Sequence, residues 1–197
     1  MRRRRPDAAR HRAAVGLLLA GLVLPLLFRP RPAPLPERVV DAALSQVGRV
    51  GYFWGGKSLS TGPDPRWGML TRVTSDGSDT TGQLLPFGLD CSGLVSWAAT
   101  TAAGDPSAGA AIGEGVRAQY ASAKPVPWEK ARPGDLLFFP DLSHVGIVVG
   151  WSADGKLRVV HSSKTLGGVV LSEDASLIGF TAVGRPDIYK RFTGLSG

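Results

Sequence analysis

Downstream of residue 134 the chain carries four apolar runs, "DLLFFP" (135–140), "HVGIVVG" (144–150), "LRVVHSS" (157–163) and "GVVLSE" (168–173), separated by short polar turns. Runs of this length, rich in branched residues and bounded by Gly, Asp and Ser, read as β-strands, and connections this short make neighbours antiparallel. Upstream the period changes. Residues 37–47 put Val40, Ala43, Leu44 and Val47 on one helical stripe that stops at Gly48. Asp90 is positioned to cap a second helix in which Cys91, Leu94, Val95 and Ala98 share a face, ended by Gly104 and Pro106. A shorter helix is expected within 113–123. Helices first and an antiparallel run afterwards define an α+β fold, with helices packed on one face of a sheet.

The length of 197 residues suits one ordinary domain, and 43% hydrophobic with 20% charged residues is a globular composition. The net charge of +7 resides at one end: residues 1–32 hold eight arginines against one aspartate, and the remaining 15 basic and 15 acidic residues cancel. A neutral body has no basic footprint for phosphate, which excludes nucleic acid as a partner. The basic stretch 1–12 precedes an apolar run, 13–28, in the manner of an export signal. At 16 residues with Pro25 inside, the run is short of the roughly 20 needed to span a bilayer. No small-x-small cleavage site follows it, so an uncleaved N-terminal membrane anchor with cytoplasmic arginines is favoured over a secretion signal. Either way the body is expected to be extracytoplasmic. Residues 29–36 read as a stiff Pro-rich linker and 37–197 as the folded domain. Within it, 57–88 is rich in Gly, Pro, Ser, Thr and Asp and is expected to be an irregular surface loop, long enough to suggest a role in function. Trp67 and Arg66 inside it are candidates for lining a cleft, with an ordinary loop anchor the simpler role for Trp67.

Export gives weight to the single cysteine. An oxidising compartment favours disulfides, yet one Cys cannot form one within the chain. Cys91 is either an inert core residue or a reactive one. At a helix start it feels the positive end of the helix dipole, which favours thiolate, and a nearby imidazolium would favour it further. Of three histidines, His11 lies in the export segment, leaving His144 and His161 on two adjacent strands. A loop centred between Ser152 and Ala153 would set them directly opposite, with Cβ atoms about 5 Å apart; a two-residue Asp154–Gly155 turn would instead oppose His161 to Val148. Both registers keep the pair on one face. His144 is then a candidate to take the thiol proton and return it to a leaving amine, with His161 fixing its orientation and backbone N–H groups near Cys91 holding an oxyanion. The same three side chains are competent zinc ligands, although the chain has no C-x-x-C or H-E-x-x-H pair. No metal and no cofactor is expected.

Taken in order, "GLDCSGLVSWA", "ARPGDLLFFPDLSHVGIVVG" and "VVHSS…GVVLSE" resemble the NlpC and p-sixty family of bacterial cell-wall cysteine peptidases, over about residues 37–172. The resemblance implies a circularly permuted papain-like fold with about five antiparallel strands, Cys91 as nucleophile, His144 as base and His161 as third member. Tyr52, Trp54, Gly55 and Gly56 match a Tyr-x-Trp-Gly-Gly pattern of many relatives, which implies that Tyr52 lies near the thiol and helps with oxyanion or substrate. By the same resemblance Asp90 and Ser92 line the cleft and meet the free amino end of a wall peptide. The implied reaction is cleavage, through a thioester, of an amide bond in peptidoglycan stem peptides, most often between D-glutamate and the following diamino acid, by a monomer. The segment 57–88 departs from relatives, most of which have a short loop there. Acyl transfer or amide hydrolysis on another substrate by the same Cys-His-His site is the alternative, with a zinc site or a non-catalytic binding module behind it.

Overall fold

The computed structural model describes residues 32–192; the basic and apolar segments expected at 1–12 and 13–28 lie outside them. Among the described residues no helix is long and apolar enough to cross a membrane. Helix α1 (Leu35–Leu44) starts inside the Pro-rich stretch, where Pro36 in the first turn gives up no needed hydrogen bond, and it buries Leu35, Val39, Val40 and Ala43. It ends sooner than its periodicity suggests: the chain turns after Leu44, and the Gly48 N–H donates to the Val169 carbonyl at 3.0 Å. The insertion contains a hairpin, β1 (Leu70–Arg72) with β2 (Leu84–Pro86), where an irregular loop was expected. Phe53, Val73 and Phe87 give it a small core of its own. Trp67 packs edge-on against Trp97 at 5.2 Å, and Arg66 pairs with Asp64 while its guanidinium lies 4.5 Å over the Phe87 ring. Both side chains anchor the insertion.

Helix α2 (Cys91–Ala103) begins and ends as its caps dictate: the Asp90 carboxylate accepts the Gly93 N–H at 2.7 Å, and Gly104 closes the helix in the left-handed conformation. The expected single apolar face is an underestimate. Every residue from Cys91 through Thr100 is buried, because α1, α3 (Pro106–Ile112), α4 (Val116–Ala121) and the sheet surround it.

After α4 come β3 (Ala123–Val126), a 3-10 turn at Trp128–Lys130, β4 (Leu136–Phe138), β5 (Val145–Trp151), β6 (Leu157–Ser163), β7 (Gly168–Ser172), α5 (Ala175–Ile178), β8 (Ala182–Pro186) and α6 (Ile188–Arg191). Six strands, rather than about five, form one antiparallel sheet in the order β3-β8-β4-β5-β6-β7. The four apolar runs supply β4 to β7. The other two strands carry weak signals: β3 holds Pro125 and is tolerated at an edge, and β8 holds Gly184 and Pro186. Leu136, Phe138, Val145, Ile147, Val160 and Val169 pack in one core with α1 and α2, while Leu137, Val148, Leu157, Val159 and Val183 form a second cluster with Phe180. Burial on both faces explains why these strands read as unbroken apolar runs instead of alternating ones.

The β5–β6 pairing follows neither expected register. Ile147 faces Val160 and Val148 faces Val159, but beyond a bulge at Val149 the partners shift to Gly150–Arg158 and Trp151–Leu157. The bulge inserts one residue into β5, and the connection is five residues long, 152–156. Continued toward the site, this register sets Gly146 opposite His161, so His144 is a diagonal neighbour. A Cβ on Gly146 would come within 3.1 Å of the His161 Cβ and 2.5 Å of Val159 Cγ2, so only glycine fits beside that imidazole.

The segment 51–56 lies against 88–93 backbone to backbone. A Cβ on Gly93 would stand 1.9 Å from the Gly56 carbonyl oxygen, one on Gly56 2.2 Å from that of Gly88, and one on Gly88 1.9 Å from that of Gly51. Two hydrogen bonds complete the seam, Leu89 N–H to Gly51 at 3.1 Å and Asp90 N–H to Gly56 at 3.2 Å. Gly93→Ala is therefore expected to destabilise the protein by at least about 1–3 kcal/mol in urea melts, the cost of overpacking against atoms that cannot swing away. Gly62→Ala, where a Cβ would meet nothing within 4 Å, is expected to stay within about 0.5 kcal/mol of the parent.

Candidate active site

Cys91 is the first residue of α2 and only 7% exposed. The glycine seam holds it from one side. From the other, the Ser162 hydroxyl donates to the Leu89 carbonyl at 2.6 Å, tying the segment before the cysteine to β6, the strand that carries His161. Val145, at the start of β5, directs its N–H at the Cys91 sulfur, which brings the adjacent His144 to the same place.

The two imidazoles meet. His144 Nε2 lies 2.8 Å from His161 Nδ1, and His161 Nε2 lies 3.0 Å from Ser172 Oγ. The diagonal offset is bridged by the rings themselves, which stand nearly perpendicular at 5.0 Å between centroids. Phe139 and Phe180 pack on His144 at 5.0 and 5.4 Å, and Phe180 also meets His161 at 5.7 Å. The hydrogen bond commits His144 Nε2 to His161 and leaves Nδ1 for other chemistry. Two nitrogens bound to one tetrahedral zinc sit about 3.3 Å apart with both lone pairs on the metal; here they share a hydrogen bond. Among the described residues no three metal-binding side chains converge.

Burial sets the electrostatics. It pushes the Cys91 thiol up to about 11, with the Asp90 carboxylate acting the same way and the Val145 N–H, Lys57 and the Ser92 N–H opposing. Burial also pulls His144 down to about 4, and His161 down to about 4 with His144 contributing. The resting pair is a neutral thiol and a neutral imidazole, where helix-dipole reasoning favoured a thiolate. Burial is the larger reason and the cap the second: Asp90 already answers the helix N-terminus and adds its own negative charge beside the sulfur.

Asp90 and Ser92 come together with a third residue, Lys57, that sequence reasoning overlooked. Lys57 Nζ donates to both Asp90 oxygens at 2.5 Å and to Ser92 Oγ at 2.8 Å, and Ser92 donates to Asp90 at 3.0 Å. Tyr52 stands near both Cys91 and Asp90, whose charges add to burial in raising its phenol. Two clefts open here. One of about 470 Å³ is lined by Lys57, Asp90, Cys91, Ser92 and Arg117; the other, about 530 Å³, is lined by Tyr52, His144, His161, Leu166 and Leu177. Ser143 lines both, so the two clefts adjoin there, the thiol lining one and the imidazoles the other. Besides Lys57, the sequence reading passed over Ser172 and Phe180. Ser172 stands at the end of a strand it did identify, two residues past the partner of His161; nothing local marks Phe180.

A helix-borne thiol laid against histidines on an antiparallel sheet is the papain-like arrangement. The chain belongs to the NlpC/P60 family, whose model matches residues 49–176. Probable endopeptidase Rv2190c of Mycobacterium tuberculosis is 36% identical over 126 residues, which cover 64% of this chain and 23% of that protein. The chain thus spans less than a quarter of the length of the curated relatives it matches. Among solved structures, the P60 domain of antigen MAP1204 from M. avium subspecies paratuberculosis aligns with a TM-score of 0.51 and 26% identity over 77% of this chain and 93% of that one. The M. tuberculosis peptidoglycan hydrolase RipB aligns with a TM-score of 0.51 and 26% identity, over 90% and 86%. RipD, a non-catalytic NlpC/p60 domain protein of M. tuberculosis, shares the fold at a TM-score of 0.53 and 22% identity over 78% and 98%.

Two measurements check the electrostatics. Iodoacetamide labelling of Cys91 is expected to be slow at neutral pH and to climb toward about pH 11, because a raised thiol holds its proton; a plateau already reached below pH 7 would contradict this. Both histidines also bind protons less readily folded, at about 4, than unfolded, at 6.5. In that window the unfolded chain takes up more protons, so the melting temperature is expected to fall as pH drops from 6.5 to 4, less steeply in His161→Gln.

Proposed function

We propose that this domain is a cysteine peptidase acting on peptidoglycan stem peptides outside the cytoplasm, held near the membrane by its N-terminal segment. The observation that carries the reading is the 2.8 Å bond between His144 Nε2 and His161 Nδ1, with the Cys91 sulfur beside the Val145 N–H. It permits one productive proton arrangement. To take a proton at Nδ1, His144 carries its own on Nε2 and donates it to His161 Nδ1; His161 is then protonated on Nε2 and donates to Ser172 Oγ.

As the sulfur attacks the substrate carbonyl, its proton passes to His144 Nδ1, and the oxyanion forms near the Cys91 N–H and the Tyr52 hydroxyl. Collapse expels the amine, which leaves with the proton from His144. A water molecule then attacks the thioester with His144 as base, releasing the carboxylate and restoring the thiol. His161 and Ser172 supply no negative charge to the imidazolium, so they orient it more than they stabilise it. The family resemblance points to the bond between D-glutamate and the diamino acid. The names of the relatives, an endopeptidase and a peptidoglycan hydrolase, support the class of substrate.

The test is digestion of purified peptidoglycan by the full chain, with fragments weighed by mass spectrometry. Wild type is expected to release new ends that differ from the parent by one water, whereas transfer to an added amine would mark an acyltransferase. Cys91→Ala is expected to release none, His144→Ala to lose at least about 10²-fold in kcat, and His161→Ala a smaller factor.

A further inference from the structure

The carboxylate and hydroxyl that would receive the amino end of a wall peptide already hold an ammonium, that of Lys57. Its three N–H donors are all engaged, two by Asp90 and one by Ser92. Asp90, whose side chain is 9% exposed, is saturated in turn by Lys57, the Ser92 hydroxyl and the Gly93 N–H. The backbone of Lys57 is fixed as well: Gly56, the residue before it, is locked in the glycine seam, and Arg66 Nη2 donates to the Lys57 carbonyl at 3.3 Å. An ammonium delivered on a short fixed tether has an effective concentration of at least the millimolar order, and a buried carboxylate has room for one close cation.

We propose that Lys57 is a specificity-determining residue that occupies the amine seat of Asp90 and Ser92, so that the enzyme takes stem peptides whose first amino group is acylated and discriminates against free amino ends. In chemical terms the preferred substrate is a stem still joined through its first amino group by an amide bond, not a peptide already released. The choice of wall peptide as substrate rests on the peptidase reading above; the occupied seat does not, and the test separates them.

The full chain carrying Cys91→Ala is titrated with L-alaninamide, a small ammonium probe, and with N-acetyl-L-alaninamide, while the amide resonances of Ser92 and Gly93 are followed by NMR. With Lys57 present the expected response to L-alaninamide is at least tenfold weaker than in the added Lys57→Met variant, and the acetylated probe moves neither. Equal binding with and without Lys57, or no binding in either, overturns the proposal. If Lys57→Met does not fold, reductive methylation of the parent decides: Lys57 is expected to react at least tenfold more slowly than exposed lysines such as Lys124, and equal rates overturn the proposal. In hydrolysis, a stem peptide with an acetylated first amino group is expected to have the higher kcat/KM in wild type, and Lys57→Met to shift preference at least tenfold toward the free amine. Absence of hydrolysis alongside the expected NMR result counts against the peptidase reading and leaves the seat assignment standing.

Discussion

The candidate site depends on one steric constraint: two stretches of backbone approach more closely than any side chain allows. Gly56 on one side of the seam and Gly88 and Gly93 on the other each lie within reach of a carbonyl that a methyl group would strike, the carbonyls of Gly88, Gly51 and Gly56 respectively. This apposition does more than fill space. It sets the first turn of α2, and with it Cys91, Asp90 and Ser92, against the segment that carries Tyr52 and Lys57. The second hold, Ser162 on Leu89, couples that unit to β6. Thiol, carboxylate and imidazole pair are therefore positioned by main-chain contacts at the ends of buried elements, the rigid support that sub-ångström placement of reacting groups requires.

The same burial that gives rigidity dictates the charge state. A dry helix start with a carboxylate cap favours a protonated sulfur, and a cage of Phe139, Phe180 and the second histidine favours a neutral ring. Such a site keeps its thiol unreactive toward solvent at rest. In the reaction proposed above, charge separation awaits a substrate carbonyl that accepts the sulfur's electrons as the proton moves to His144. The ordering of His144, His161 and Ser172 then sets the tautomer without placing a second anion near the thiol.

Much of the fold was legible because burial leaves long apolar signatures. Strands β4 to β7, both main helices and the Asp90 cap follow from periodicity and capping alone, and the resemblance singled out Cys91, His144 and His161. The failures have physical causes. β3 and β8 carry prolines and a glycine, so their pairing is a tertiary matter that no local pattern announces. The register error at β5–β6 came from a five-residue connection together with a bulge at Val149, which local propensity does not reveal, and the histidine pair survived it because rings reach diagonally where Cβ atoms do not. Lys57 was invisible for a different reason. Its partners are 33 and 35 positions away, and only the glycine seam brings them within 2.8 Å.

That seam also gives the insertion a place in the chemistry. Residues 57–88 would have little bearing on catalysis as an irregular loop, but they fold on a core of Phe53, Val73 and Phe87 and dock on α2 through Trp97, whose indole N–H donates to the Gly62 carbonyl at 2.8 Å. Trp54, beside the seam, donates to the Asp76 carbonyl at 2.9 Å, and Lys164 of the β6–β7 loop pairs with Asp79. The insertion thus touches both clefts, at Ser75 and Asp76 on the thiol side and through Lys164 on the histidine side. Its first residue is Lys57. A segment anchored at both rims, and beginning with the side chain that fills the Asp90–Ser92 seat beside Cys91, is placed to bear on what enters the clefts, the specificity role proposed for Lys57.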